Sequence, residues 1–364
     1  MKIYICFSLA LIFLSCANVI PPSGGPKDIN PPIFIKSNPE NKSVYFKSDL
    51  INLYFNENIT IKNIQQIFSL PDPDLIKKIN SKGTVIEVNL KKNLKPNTTY
   101  VIEFKGSIID LNEGNKLESF KYVFSTGGQI DSSVVSGKVS ELEHNEAVEN
   151  SLIGLYNGNI TENFDSIIKN QKPDFFTFSD KNGEYNYSNL KSGLYTTVCI
   201  KDENLNLKYE INELVSMPKI IELKDSIENN MKIFLDERFV AQTREIDTTQ
   251  NVLLNKQDSV ITNLPEYGLL NLLFYHKFYK NKNYIGQIVK EQKVLQTFHI
   301  NDSIITIENL EKGTYQLKII DDLNKNEQWD TGNIKTLKKP EEILFFKDSI
   351  QIRSNWELDL IIDI

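Results

Sequence analysis

One stretch of this chain occurs twice at a fixed spacing, and that limits the possible folds more than any single residue does. Thr177-Phe178, Asn189-Leu190, Gly193-Leu194-Tyr195 and the series Asp202, Asn204, Asn206 recur as Thr297-Phe298, Asn309-Leu310, Gly313-Thr314-Tyr315 and Asp322, Asn324, Asn326, each pair 120 positions apart. An ungapped repeat of this kind requires two units of one fold, and two copies fall short of a solenoid. Inside and before the repeat the apolar period is two, as in half-buried strands. Ile51, Leu53 and Phe55 alternate with Asn52, Tyr54 and Asn56, and residues 85–90 and 101–104 continue the pattern. Turn residues such as Asp110, Gly114 and Asn115 separate the runs. The expected fold class is all-β, with tandem β-sandwiches.

A length of 364 residues suggests two or three domains, and 40% apolar residues are enough for real cores. The net charge of −7 is spread along the chain. It excludes a nucleic-acid partner, which needs a basic face, and gives no attraction to anionic lipid. Of the three cysteines, Cys6 and Cys16 lie near the start, and Cys199 stands alone in an apolar run as an expected core residue. The strongest later apolar run, 268–275, is only strand length.

The N-terminus carries Met1, Lys2 and an apolar run over 3–14 broken by Ser8, then Phe13-Leu14-Ser15-Cys16. This resembles a bacterial lipoprotein signal, with Phe13 where Leu is usual. The resemblance implies a signal peptide over 1–15, a diacylated Cys16, and a membrane partner reached through that lipid. Prolines 21, 22, 26, 31 and 32 make residues 16–32 a stiff tether. Residues 17–20 lack an acidic run, which favours the periplasmic face of an outer membrane over the cell surface.

Asp28, Pro31-Pro32, Ser37-Asn38-Pro39, Phe55-Asn56-Glu57, Leu94 to Tyr100, Asp110 with Gly114-Asn115, and Phe124-Ser125-Thr126-Gly127 follow one another in an order that resembles the bacterial Ig-like domain first described in S-layer proteins. The likeness spans 28–128. Val135-Ser136-Gly137, the turn Asp180-Lys181-Asn182-Gly183-Glu184-Tyr185 and Asn189 to Tyr195 resemble prealbumin-like, or carboxypeptidase-regulatory-like, sandwiches. That places one such unit at 132–236, a linker at 237–266 and a second unit at 267–364. The whole order resembles a lipoprotein family of the Bacteroidota. The resemblance implies a structural or interaction protein of the envelope without catalytic activity, with an envelope protein or glycan as partner.

Few residues carry a chemistry of their own. Asp202, Asn204, Asn206 and Glu210, and likewise Asp322, Asn324, Asn326 and Asp330, present oxygens at loop positions 1, 3, 5 and 9, the spacing by which oxygens converge on calcium. Position 12 is Glu213 in the first loop and Asn333 in the second, and neither loop has Gly at position 6. The competing reading is a pair of solvated turns. Calcium is the one cofactor the sequence raises. His144 reads as a solvated turn residue, and His276 and His299 as strand residues. No nucleophile elbow or zinc-protease motif accompanies them.

Asp-Ser followed by an aliphatic residue places Ser166, Ser226, Ser259, Ser303 and Ser349 in triplets that resemble an O-glycosylation acceptor of exported Bacteroidota proteins. The plain alternative is a turn that leads into a strand. Trp329, Trp356, Tyr267 and Phe345-Phe346 are candidates for a sugar platform or for packing. Two other functions stand beside the structural one: a carbohydrate- or calcium-dependent binding module, such as an adhesin or glycan-capture accessory, and an unrecognised hydrolase with converging carboxylates. The binding module predicts an exposed aromatic patch near the Asp322 loop.

Overall fold

The computed structural model describes residues 27–241, 267–275 and 283–362. Cys16, Ser259, His276 and most of 237–266 lie outside them. The chain is all-β, with its strands arranged in several sheets; among the described residues a short α-helix, Phe164–Asn170, is set between strands, and residues 237–241 are helical as well.

The first set of sheets has one layer ordered Phe34–Asn38, Leu50–Phe55, Val85–Leu90, Ile76–Lys82, and a second ordered Phe120–Ser125, Thr99–Phe104, Ile67–Leu70. The period-2 residues Ile51, Leu53, Phe55, Ile86 and Val88 point into the core between them, against Tyr100, Ile102, Phe104 and Phe124. The motif residues fix the ends of this sandwich. Tyr100 stacks on Phe124 at 5.2 Å, and its Oη accepts the Lys95 N–H at 2.8 Å, which pins the 94–100 loop. Buried Asp110 accepts the N–H groups of Asn112 and Glu113 at 2.8 and 2.9 Å. Gly114, at φ +82°, closes that turn in a backbone region that side chains disfavour. Asn115 Nδ2 then donates to the Asp28 carbonyl at 2.9 Å, tying the segment ahead of the first strand to this turn.

The second set is a nine-stranded sheet system over 133–235. The third comprises sheets centred on Tyr267–Phe274 and on Gly313–Asp321. In both, the opening strand pairs in parallel with the closing one: Ser133–Glu141 with Ser226–Glu228 and Met231–Leu235, and Tyr267–Phe274 with Glu357–Ile362. Cys199 is fully buried in the second core, and burial pushes its thiol up.

The helix departs from the sequence reading, which gave Asp165-Ser166-Ile167 a turn leading into a strand. Phe164 and Ile168, one helical turn apart, bury together, and on the adjoining face Lys169 Nζ reaches Asp165 at 2.9 Å. The other described triplets do lead into strands, at Ser226–Glu228, Ile304–Glu311 and Ile350–Ile352.

Contacts cross from one set of sheets to the next. Phe68, on the edge strand Ile67–Leu70, packs against Phe176 and Phe178 at 5.4 and 5.2 Å, and Leu70 is buried in the core of the 133–235 system. Asp131 N–H donates to Thr99 Oγ1 at 2.9 Å, and Asn189 Nδ2 to the Asp131 carbonyl at 3.1 Å.

Candidate functional site

The two Asp/Asn loops fold alike, bond for bond. Asp202 Oδ1 and Oδ2 accept the N–H groups of Asn206 and Leu207 at 3.1 and 2.8 Å; Asp322 Oδ1 and Oδ2 accept those of Asn326 and Glu327 at 3.2 and 3.0 Å. Asn204 and Asn206 both donate through Nδ2 to Glu210 Oε1, at 2.8 and 2.9 Å. Asn324 and Asn326 donate in the same way to Asp330. The fifth and third residues back from these carboxylates sit at positive φ in both loops: Leu205 and Leu207 at 58° and 62°, Lys325 and Glu327 at 61° and 63°. Asp202 and Asp322 are buried. The predicted oxygens thus do come together, and their lone pairs are already directed at backbone N–H and side-chain amide donors.

A second carboxylate closes each loop from beneath. Glu213, 3% exposed, accepts the N–H groups of Glu203 and Glu210 at 3.1 and 2.9 Å. Burial raises its pKa against the lowering effect of those two N–H groups. In the twin loop the partner is Glu341, 4% exposed, which accepts from Leu323 and Asp330 at 2.8 and 3.0 Å. Sequence reasoning did not find Glu341 and had Asn333 at this place. The donors keep the 120-residue offset, but the acceptor is displaced further along by an insertion around 331–340.

That insertion makes the joint between the second and third sets of sheets. Thr331 Oγ1 donates to the Leu235 carbonyl at 2.5 Å, the Glu237 N–H to the Gly332 carbonyl at 2.8 Å, and Asn333 Nδ2 to Glu237 Oε1 at 2.7 Å. Ile334 is fully buried in the core of the 133–235 system. Trp329 packs on cores of both neighbours and donates Nε1–H to the Glu341 carbonyl at 3.1 Å.

Asp236, 0% exposed, is the hub of the joint. It takes Arg238 Nε and Nη2 at 2.7 and 2.8 Å, the Arg238 N–H at 2.9 Å, and the Ile334 N–H from across the joint at 2.9 Å. Arg238 Nη2 also reaches Asp165 Oδ1 on the helix at 2.9 Å. Burial pushes both carboxyls up, but Arg238 together with Lys169 at Asp165, and Arg238 together with the Ile334 N–H at Asp236, outweighs it and holds both below the usual carboxylate range. The sequence places Glu237 and Arg238 at the start of a linker; here both are engaged in the joint.

Other candidates are scattered. Glu141, Glu143 and His144 share one turn, with ligand atoms within 4.8 Å of one another, and His144 Nδ1 lies 3.3 Å from Glu141 Oε2. His144 is therefore half-buried and paired rather than free in solvent. Lys318, buried in the strand Gly313–Asp321, already turns positive charge toward Glu143 and Glu141; burial lowers its pKa and the two carboxylates oppose that. His299 Nε2 lies 3.3 Å from Glu327 Oε1 on the surface. Ser166, Ser226 and Ser349 are exposed, and Ser303 is half-buried against Asp302.

The aromatics do not form one platform. Trp329 belongs to the joint, whereas exposed Trp356 lies beside Arg353 and Tyr267, at the opposite end of the strand Gly313–Asp321 from the Asp322 loop.

No curated protein matches the chain. Among solved structures, the Bacillus anthracis TIE protein is 14% identical over 94% of this chain, with a TM-score of 0.20, and the chain spans 59% of that protein's length. The GBS52 minor pilin of Streptococcus agalactiae is 12% identical over 63% of this chain and 94% of its own, TM-score 0.21. A DUF3823 family protein from Parabacteroides merdae is 12% identical over 60% of this chain and all of its own, TM-score 0.19. Residues 28–126 match the bacterial Ig-like domain, and the motif residues that pin the loops of the first sandwich lie within that match.

Proposed function

We propose that this is a structural or interaction protein of the bacterial envelope, without catalytic activity, held to a membrane by acyl groups on Cys16. Its three β units then form a jointed spacer outside the cytoplasm, with the first at the end of a short tether. The observation that carries this reading is the construction of the joints. Phe68 and Leu70 enter the second core from one side, and Ile334 and the Asp236–Arg238–Asp165 cluster lock it to the third unit from the other. Buried polar residues of this chain are used to hold units together.

In this reading the twin Asp/Asn loops are staples that close strand ends, because their carboxylates already take backbone donors. Adding calcium then leaves the melting temperature unchanged, and a stabilising shift would assign the loops to the ion. The outer membrane, its periplasmic face, and glycans on Ser166, Ser226, Ser259, Ser303 and Ser349 are further parts of the proposal. Labelled palmitate should enter the native chain, and Cys16→Ser should release it into the soluble fraction. Retention of the variant on membranes without label would refute the anchor.

A further inference from the structure

Two of the chain's three methionines, Met217 and Met231, line one cleft of about 410 Å³ beside the joint, and the third is Met1. Leu142, Pro218, Phe234 and Pro340 add to its apolar lining, the last contributed from across the joint. Three exposed lysines, Lys219, Lys232 and Lys339, stand on its rim. Among the described residues the Lys219 carbonyl accepts from Thr197 Oγ1 at 3.1 Å, but the ammonium group of none of the three takes part in a side-chain hydrogen bond or ion pair. The only acidic groups of the lining are Glu342 and Glu341, and the latter is buried and occupied by two backbone N–H groups. A chain of net charge −7 thus gathers a surplus of positive charge, three lysines against two glutamates, around one apolar hollow.

This combination points to a specific ligand chemistry. Methionine side chains are flexible and polarisable and adapt to varied apolar partners. A cleft of this volume lies in the range of ligand sites, where an apolar wall and a few charged groups fix orientation. We infer that the cleft docks an acidic segment of a partner protein, with an apolar side chain on Met217, Met231 and Phe234 and flanking carboxylates on Lys219, Lys232 and Lys339. The inference rests on the interaction-protein reading and names the chemistry of the partner.

The test uses the full mature chain and a fluorescent peptide of alternating glutamate and leucine, with a lysine–leucine peptide as control. The acidic peptide should bind, weaken as salt rises through the range that screens exposed charges, and lose about tenfold in affinity in the double variant K219E/K232E. Both lysines are exposed, so the variant should fold, and an unchanged melting temperature checks that. Met217→Ala provides a second, charge-neutral arm and should weaken binding without altering its salt dependence. Equal binding of the two peptides, no binding at millimolar concentration, or equal affinity in K219E/K232E would overturn the inference. So would self-association of the chain that the lysine variants abolish, since the occupant would then be a second copy. None of these results bears on palmitate labelling at Cys16, so the anchored-spacer reading fails or stands separately.

Discussion

Asp236→Ala is the most telling perturbation of the joint. The carboxylate is completely buried and accepts four hydrogen bonds, two of them a fork from Arg238. Its removal leaves the guanidinium with only the 2.9 Å bond to Asp165, and leaves the Ile334 N–H, on a fully buried residue, without its acceptor. Taking one partner from a buried ion pair costs about 3–5 kcal/mol, and an orphaned buried donor costs about 1–3 kcal/mol. The two losses share one site and do not add. The Arg238 side chain is 24% exposed and can recover water, so the lower end, about 3 kcal/mol, is the expected effect.

For a unit of roughly a hundred residues that corresponds to about 10–20 °C in melting temperature. The assay is intrinsic fluorescence during thermal and guanidinium unfolding in a Trp356→Phe background, which leaves Trp329 in the joint as the sole reporter. The Trp329 transition should move down by that amount. A shift below about 0.5 kcal/mol, the size usual for an uninvolved surface substitution, would refute the hub role.

Three further outcomes follow from the same contacts. Gly332→Ala places a Cβ 2.6 Å from the Phe234 ring and 2.9 Å from the Lys338 carbonyl, so overpacking of about 1–3 kcal/mol should appear in the same Trp329 melt. Phe68→Ala removes the half-buried ring that meets Phe176 and Phe178; a loss of about 2 kcal/mol and faster protease cleavage between the first and second units are expected. Asp165 and Asp236 have folded pKa values below their unfolded ones, so their stabilisation is fully present above the unfolded value near 3.9 and is lost as pH falls through the folded values. Acid titration of Trp329 fluorescence should therefore show the joint opening below about pH 4, whereas Glu213, shifted upward, contributes in the opposite sense.

Much of the fold is written in period and turn chemistry. Ile51, Leu53 and Phe55 alternate in sequence and are buried in the structure, because a two-residue period has one solution when a single face meets a core. The twin loops were equally legible, since their donors and acceptors lie within nine residues of each other. Glu341 was hidden because the insertion around 331–340 breaks the constant offset that revealed the rest. The helix Phe164–Asn170 was hidden because it is only 7 residues long and buries just Phe164 and Ile168, too few to set a period. Asp236 and Arg238 are ordinary polar residues in sequence; only the fold brings Ile334 and Asp165 to them, 98 and 73 positions away respectively.

The parallel pairing of opening and closing strands has a mechanical consequence. In the second unit the chain enters at the start of Ser133–Glu141 and leaves at the end of Met231–Leu235, so tension on the two ends drags these strands lengthwise past each other. The hydrogen bonds of such a pair bear load together instead of parting one by one like a zipper. A molecule pulled by its two ends should then yield at high force and in discrete steps, which single-molecule pulling would record as a sawtooth of separate rips.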